Sequence, residues 1–175
     1  LKSLLEMVDT DLKRLLDKIK NKQFKFIGAG DNGRVYEING EDRCFKITQE
    51  RDEFEVATVI VGRWSEFTTF IPIYYVDDRQ HMYIMSNASE LPIRIKKSVD
   101  LFMEDFANFA RSEGGEVSVF DFINETDNID PLLDNFLTAL KTDIDKLQIP
   151  EFDLDLDFRS DNIMIWDGKM VMVDW

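Results

Sequence analysis

The chain has 175 residues and a formal net charge of −14, and 44% of its residues are apolar while 32% are charged. This balance predicts a folded protein with its own core and excludes a disordered chain. The acidic excess argues against a nucleic-acid binder, because such proteins neutralise phosphates with clustered Lys and Arg.

Cysteine use and hydropathy favour the cytoplasm. Cys44 is the only cysteine, so the chain is expected to form no internal disulfide and no cysteine-based zinc cluster. No apolar run reaches the roughly 18 to 20 residues that span a bilayer, and the N-terminus lacks a signal-peptide core. We therefore expect a cytoplasmic protein that does not enter a membrane.

The first half of the chain predicts one long helix and then a small sheet. Residues 1–22 place apolar residues three and four positions apart, which is the period of an amphipathic helix. Strand-like runs around glycines follow, and Asn39-Gly40 suits a tight turn because both residues tolerate positive φ. Residues 50–65 predict one helix between strands. The predicted strands are 24–27, 34–38, 43–47, 71–76 and 82–86.

Beyond residue 87 the pattern is mainly helical and ends in a hairpin. Gly114-Gly115 marks a loop, and Asp167-Gly168 suits the turn of the hairpin. The predicted elements are helices 98–112 and 131–147 and strands 163–166 and 170–173. We therefore divide the chain into an N-terminal helix (1–22), a first lobe (23–86) and a second lobe (87–175).

Residues 28–36 read GAGDNGRVY, the pattern G-x-G-x-x-G-x-V-Y, and lie between two predicted strands. Glycines allow a backbone to approach phosphates closely and to offer them its N–H groups. A dinucleotide-binding fingerprint has the same glycine spacing, but it needs a helix directly after the third glycine, and a strand is predicted here. Standing alone, the motif also fits an ordinary glycine-rich hairpin.

Lys46 lies near the end of the third predicted strand, at a place where its side chain can point under the glycine loop. A lysine there can pair with phosphates as a point charge, although a single strand lysine is more often a solvated surface residue. The next helix offers Glu53 and Glu55, and either carboxylate can pair with Lys46 and hold it. We favour Glu55.

The strongest chemical signal is the acidic segment 155–162, DLDFRSDN, which is followed by a hairpin and a further Asp. An Asp, an Asn five residues later and an Asp after the hairpin gather a base and two oxygen ligands at one edge of a cleft. Mg²⁺ prefers such hard oxygen ligands and keeps waters and substrate phosphates as the others. Asp157 is the predicted base, and Asn162 and Asp174 are the predicted ligands.

Taken in order, the glycine motif, Lys46 and the acidic segment resemble the protein-kinase-like superfamily over residues 24–174. The resemblance implies an α+β, bilobal kinase-like fold, with a five-stranded antiparallel first lobe that carries one helix and a mainly helical second lobe. We expect the distal part of the family's second lobe to be missing from these residues. The resemblance also implies ATP and Mg²⁺ as cofactors and a protein as the partner that accepts phosphate.

The resemblance further implies roles for single residues. Lys46 would contact the α- and β-phosphates, and Asp157 would orient or deprotonate the acceptor hydroxyl. Arg159 would face the transferred phosphate and stabilise its charge. Met85 and Asn87 would lie in the connection between lobes, where backbone groups bind adenine. The nucleotide-binding positions implied for the glycine loop are Gly28, Ala29, Gly30, Asn32, Gly33 and Val35.

Two details narrow the resemblance. Residues 157–164, DFRSDNIM, look most like the reduced serine/threonine protein kinases of bacterial viruses, and the Val-Tyr ending of the glycine motif favours a protein kinase. The end Val173-Asp174-Trp175 is also similar to the metal-binding end of aminoglycoside and choline phosphotransferases. We therefore expect transfer to Ser or Thr on a protein, in the host cytoplasm if the chain is viral.

Two alternatives stay open at this point. One is a small-molecule phosphotransferase with the same nucleotide-binding half. The other is a catalytically silent nucleotide-binding protein whose acidic surface engages a basic partner. Asp155 stands where the family usually has His, and Trp175 stands where protein kinases have Phe-Gly.

Overall fold

A computed structural model describes residues 2–30, 33–114, 117–126, 129–147 and 158–174. Over these residues the protein is α+β, with a five-stranded antiparallel sheet, a three-stranded antiparallel sheet and five α-helices. The chain divides into two compact units. The first unit is Leu1–Ser65 with Pro72–Asn87, and the second unit is Glu66–Ile71 with Ala88–Trp175.

The first unit contains the larger sheet, and all five strands predicted from the sequence are present in it. Its elements are α1 (Lys2–Lys20), β1 (Phe24–Ala29), β2 (Gly33–Ile38), β3 (Arg43–Thr48), α2 (Arg51–Ile60), β4 (Ile73–Asp77) and β5 (Met82–Ser86). The strands lie in the order β1-β2-β3-β5-β4, so β3 is the central strand. Its neighbours are β2 and β5, and both pair with it antiparallel.

One face of this sheet packs against α1. Leu15 of α1 is buried in a core cluster with Ile38, Phe45, Met82 and Ile84 from the strands. Polar contacts also attach the helix, because both Arg14 and Lys18 pair with the Glu41 carboxylate. Side chains alternate across a strand, so Lys46, next to Phe45, lies on the other face.

Helix α2 is shorter than the helix predicted over residues 50–65. It ends at Ile60, because Gly62 adopts a left-handed φ of 75° and a 3-10 turn, Trp64–Glu66, follows. The predicted tight turn at Asn39-Gly40 is present between β2 and β3. Of these two residues only Gly40 has positive φ, at 69°, in a turn closed by the Glu41 N–H donating to the Ile38 carbonyl.

The second unit contains three helices and the smaller sheet. Its elements are β6 (Ser89–Glu90), α3 (Ile93–Glu113), α4 (Val119–Glu125), α5 (Pro131–Leu147), β7 (Ile163–Trp166) and β8 (Lys169–Met172). Aromatic side chains fill part of its core: Phe102 packs on Phe122 and Phe158 at ring-centroid distances of 5.3 and 6.1 Å. The predicted turn between β7 and β8 is confirmed, with φ of 48° at Asp167 and 73° at Gly168.

Three features of the second unit differ from the predictions. Helix α3 begins at Ile93, directly after Pro92, and not at residue 98. Helix α4 was not predicted, and neither was the short strand β6. Among the described residues, none of the helices combines the length and apolar character that crossing a membrane requires.

Candidate functional site

The glycine motif forms the hairpin between β1 and β2. Gly28 is the partner of Val35 across a bulge in β1, and the Gly30 N–H donates to the Gly33 carbonyl at 3.1 Å. The predicted position Ala29 is the partner of Arg34. Asn32 lies outside the described residues. The motif is therefore a strand-to-strand turn, as the sequence predicted, and no helix follows its third glycine.

The three glycines have different surroundings. A Cβ on Gly28 or on Gly30 would meet no heavy atom within 4 Å. A Cβ on Gly33 would lie 2.7 Å from Lys46 Cε and 3.0 Å from the Ile47 carbonyl oxygen. The Lys46 side chain thus runs directly across the backbone of Gly33, and a Cβ there would force Lys46 or the Ile47 carbonyl to shift.

We expect Gly33→Ala to destabilise the first unit by about 1 to 3 kcal/mol, because the new methyl group forces either Lys46 or the β2–β3 pairing to shift. Gly28→Ala is the matched control, since its methyl group enters open space. The measurement is the urea midpoint of each variant, followed by circular dichroism. Equal midpoints for the two variants would contradict the close contact between Gly33 and Lys46.

Lys46 lies in the middle of the sheet and is almost fully buried. Its cross-strand partners are Val35 on β2 and Tyr83 on β5, so these three side chains share the face opposite α1. The residue is 4% exposed. Its Nζ lies 2.7 Å from Oε1 of Glu53 on α2.

The expectation that Glu55 would hold Lys46 was wrong. Glu55 is exposed and pairs with Arg51 one helical turn away, whereas Glu53 is 2% exposed and faces the sheet. The reason is helical phase. Residues two positions apart project about 200° apart around a helix, so only one of these two carboxylates can face Lys46.

Two further residues reach the same carboxylate and were missed from the sequence. The Thr48 hydroxyl lies 2.6 Å from Glu53 Oε2, and the Tyr83 hydroxyl contacts Glu53 Oε1. Thr48 shares a strand face with Lys46 because it lies two residues further along β3. The two-residue spacing from Lys46 could have predicted that Thr48 lies on the same face, but no local sequence pattern linked Tyr83 to Glu53.

The predicted connection residues lie at the end of β5. Met85 is buried and is the partner of Cys44 on β3. Burial raises the pKa of the Cys44 thiol to about 12, so this cysteine stays protonated and unreactive at neutral pH. Asn87 is half-buried and donates from its side chain to the Glu41 carbonyl at 3.4 Å.

The predicted magnesium ligands belong to the second unit. Asn162 is 7% exposed, and its carbonyl accepts a 2.9 Å hydrogen bond from the Val173 N–H. This bond lies at the open end of the β7–β8 hairpin, and Asp174 follows Val173 directly. The hairpin therefore brings the backbones of the two predicted ligands to the same end, while no group of three His, Cys, Asp or Glu with metal-binding geometry is found in the described ranges.

The remaining predicted residues of the acidic segment are only partly described. Arg159 is exposed, and its carbonyl accepts a 3.0 Å hydrogen bond from the Asn162 N–H. Asp161, next to Asn162, pairs with Lys96 on α3. Asp155 and Asp157 lie outside the described residues, so the assignment of Asp157 as base stays a prediction.

The structure thus joins the predicted residues into two groups. Gly33, Val35 and Lys46 lie together in the first unit, and Arg159, Asn162 and Asp174 lie together in the second. Comparison with protein-family models, with curated proteins and with solved structures finds no match to this chain. The assignment of this chain to the α+β fold class therefore rests on its own structure. In that structure a buried lysine–glutamate pair lies next to a glycine-rich hairpin.

Proposed function

We propose that this protein is an ATP- and Mg²⁺-dependent phosphotransferase with a bilobal kinase-like fold, of the reduced type found in bacterial viruses. The observation that carries the proposal is the buried ion pair between Lys46 and Glu53, with Gly33 packed on the lysine stem. Phosphoryl transfer is catalysed mainly by positioning and by charge, and a lysine held in this way supplies both.

The free-energy cost of burying Lys46 and Glu53 supports a functional role for this ion pair. Removing two charges from water costs several kcal/mol per ion before their attraction is counted, and a hydrophobic pair of similar size is often as stable. The pair also lies on the face of the sheet that α1 does not cover, beside Val35. In this proposal Lys46 is the cation that contacts a ligand with negative charge, such as the phosphates of a nucleotide.

The donor set of the second unit fits magnesium. Asn162 offers an amide oxygen and Asp174 a carboxylate, both of the hard oxygen type that Mg²⁺ prefers. Bound Mg²⁺ would supply positive charge that neutralises the phosphates. In this proposal Asn162 and Asp174 hold the ion, Asp157 accepts the proton of the acceptor hydroxyl, and Arg159 stabilises the charge of the transferred group.

The proposed acceptor is a Ser or Thr hydroxyl on a protein. The support is the ending of the glycine motif, because Val35 and Tyr36 continue as strand β2 in the way that the protein-kinase form of the motif requires. The small-molecule phosphotransferase shares the nucleotide-binding residues of this proposal and differs only in the acceptor.

The test is incubation of the purified chain with γ-³²P-labelled ATP and Mg²⁺, alone, with host lysate, and with aminoglycosides and choline. We expect label on protein, and we expect ATP with Mg²⁺ to raise the melting temperature. At a ligand concentration 100 times Kd the added stability is about 2.7 kcal/mol. The matched control is the double variant Lys46→Met with Glu53→Gln, which removes both charges together and leaves no buried charge unpaired.

Each outcome is decisive. Label on protein that disappears in the double variant supports the proposal, and label only on a metabolite supports the small-molecule enzyme instead. A melting shift without transfer identifies a silent nucleotide-binding protein. Neither transfer nor a melting shift refutes the proposed function altogether.

A further inference from the structure

Two hydroxyl groups contact the Glu53 carboxylate in addition to its ion pair with Lys46. Lys46 Nζ lies 2.7 Å from Oε1, the Tyr83 hydroxyl contacts the same oxygen, and the Thr48 hydroxyl lies 2.6 Å from Oε2. Each of these four residues is at most 4% exposed. Because a carboxylate only accepts hydrogen bonds, both hydroxyl groups act as donors to Glu53.

Thr48 connects this carboxylate to the start of α2. It is the last residue of β3, and its Oγ1 accepts a 3.0 Å hydrogen bond from the backbone N–H of Glu50, which precedes the helix. A hydroxyl has one proton to donate, and since Oγ1 accepts from Glu50, that proton is available to Glu53. The Thr48 side chain therefore holds the strand-to-helix turn and orients the Glu53 carboxylate five residues further along the chain.

Tyr83 holds the other oxygen from a neighbouring strand. It is fully buried on β5 and is the direct cross-strand partner of Lys46. Its position is therefore determined by backbone pairing between two central strands, and its fully buried side chain, which has only two rotatable carbon–carbon bonds, has little freedom to follow the helix. If α2 moved away from the sheet, Glu53 would have to leave both Thr48 and Tyr83.

We propose that Thr48 and Tyr83 are positioning residues, which keep Glu53 on Lys46 in the absence of nucleotide or any partner. Lys46 is then already in place before nucleotide binds, and activity does not depend on a signal that moves α2 onto the sheet. The use of Lys46 in phosphoryl transfer rests on the proposed function. The claim that Thr48 and Tyr83 keep Glu53 on Lys46 does not.

The test measures how readily Lys46 reacts with a small amine-acylating ester, without nucleotide, by peptide mapping with mass spectrometry. Exposed Lys25 is the internal reference for reagent dose. We expect Lys46 to react far more slowly than Lys25 in the wild-type chain. A hydrogen bond to a charged group is worth enough to change a local opening equilibrium about tenfold, so Thr48→Val and Tyr83→Phe should each accelerate Lys46 labelling by about that factor.

Matched controls separate positioning from general loosening. Thr58→Val and Tyr75→Phe remove the same groups elsewhere in the first unit: Thr58 bonds to the Phe54 carbonyl, and Tyr75 packs on the cluster beneath α1. Both should leave Lys46 labelling at the wild-type rate. Thr48→Ser keeps the hydroxyl and should do the same, whatever it does to the melting temperature.

Three results would overturn the inference. They are Lys46 labelling as fast as Lys25 in the wild type, unchanged labelling in both Thr48→Val and Tyr83→Phe, and equal labelling in Thr48→Ser and Thr48→Val. None of these depends on ATP, so a chain that fails to transfer phosphate still gives a clear answer about Thr48 and Tyr83.

Discussion

Asp157→Asn is expected to lower phosphoryl transfer by roughly a hundred- to ten-thousand-fold, the range that a positioned general base contributes. Asparagine has nearly the same shape but cannot accept the hydroxyl proton. Because the change removes one acidic group from a strongly acidic chain, we expect the melting temperature to stay close to that of the wild type. The measurement is the rate of ³²P transfer from ATP at saturating Mg²⁺.

Substitutions at two nearby acidic residues distinguish the loss of a base from the loss of a metal ligand or of a surface charge. Asp174→Asn should also strongly lower the rate of transfer, and part of this lost activity should return when the Mg²⁺ concentration is raised, because the change weakens a metal ligand and not a base. Asp161→Asn is the control, since Asp161 lies in the same segment but pairs with Lys96 on the surface. Full activity in both Asp157→Asn and Asp174→Asn would refute the roles assigned to them.

Strands and tight turns of this fold could be predicted because their signals are local. The five strands of the first unit show β-rich runs bounded by glycine and polar residues, and the Asp167-Gly168 turn has the positive φ values that its residue types favour. Helix α4 was missed although its start carries a readable signal, a capping box in which Ser118 and Asp121 satisfy each other's backbone N–H groups.

Helix ends and side-chain partners were harder, because tertiary contacts decide them. The choice between Glu53 and Glu55 depended on which face of α2 meets the sheet, and a periodic pattern with uncertain ends leaves that phase open. Tyr83 comes thirty residues after Glu53 in the chain, and only the pairing of β3 with β5 brings it to the carboxylate. The complete hydrogen-bond network around Lys46 therefore could not be predicted from the sequence and was found only in the three-dimensional structure.

A buried carboxylate, together with backbone hydrogen bonds to Met172, holds the segment that joins α2 to β4 in the second unit. Asp143 on α5 is fully buried, and its Oδ2 accepts hydrogen bonds from the Thr68 and Thr69 backbone N–H groups at 2.6 and 2.8 Å. The two threonine hydroxyls donate to the same oxygen, and Lys146 Nζ contacts Oδ1 at 2.7 Å. Burial alone would raise the pKa of Asp143, but the bonds from Lys146, Thr68 and Thr69 outweigh it and lower that pKa.

We expect Asp143→Asn to destabilise the protein by about 2 to 3 kcal/mol at pH 7, the usual loss when buried donors lose a charged acceptor. A carboxyl whose pKa is lower in the folded chain stabilises it above the unfolded value of 3.8, and this stabilisation disappears as pH falls through the folded value. The gap in urea midpoint between wild type and Asp143→Asn should therefore be largest near neutral pH and should narrow below about pH 4. Asp145→Asn, on the exposed side of the same helix, should keep the wild-type midpoint at both pH values. A gap that stays constant down to pH 3 would mean that the shape of Asp143, and not its charge, holds Thr68 and Thr69.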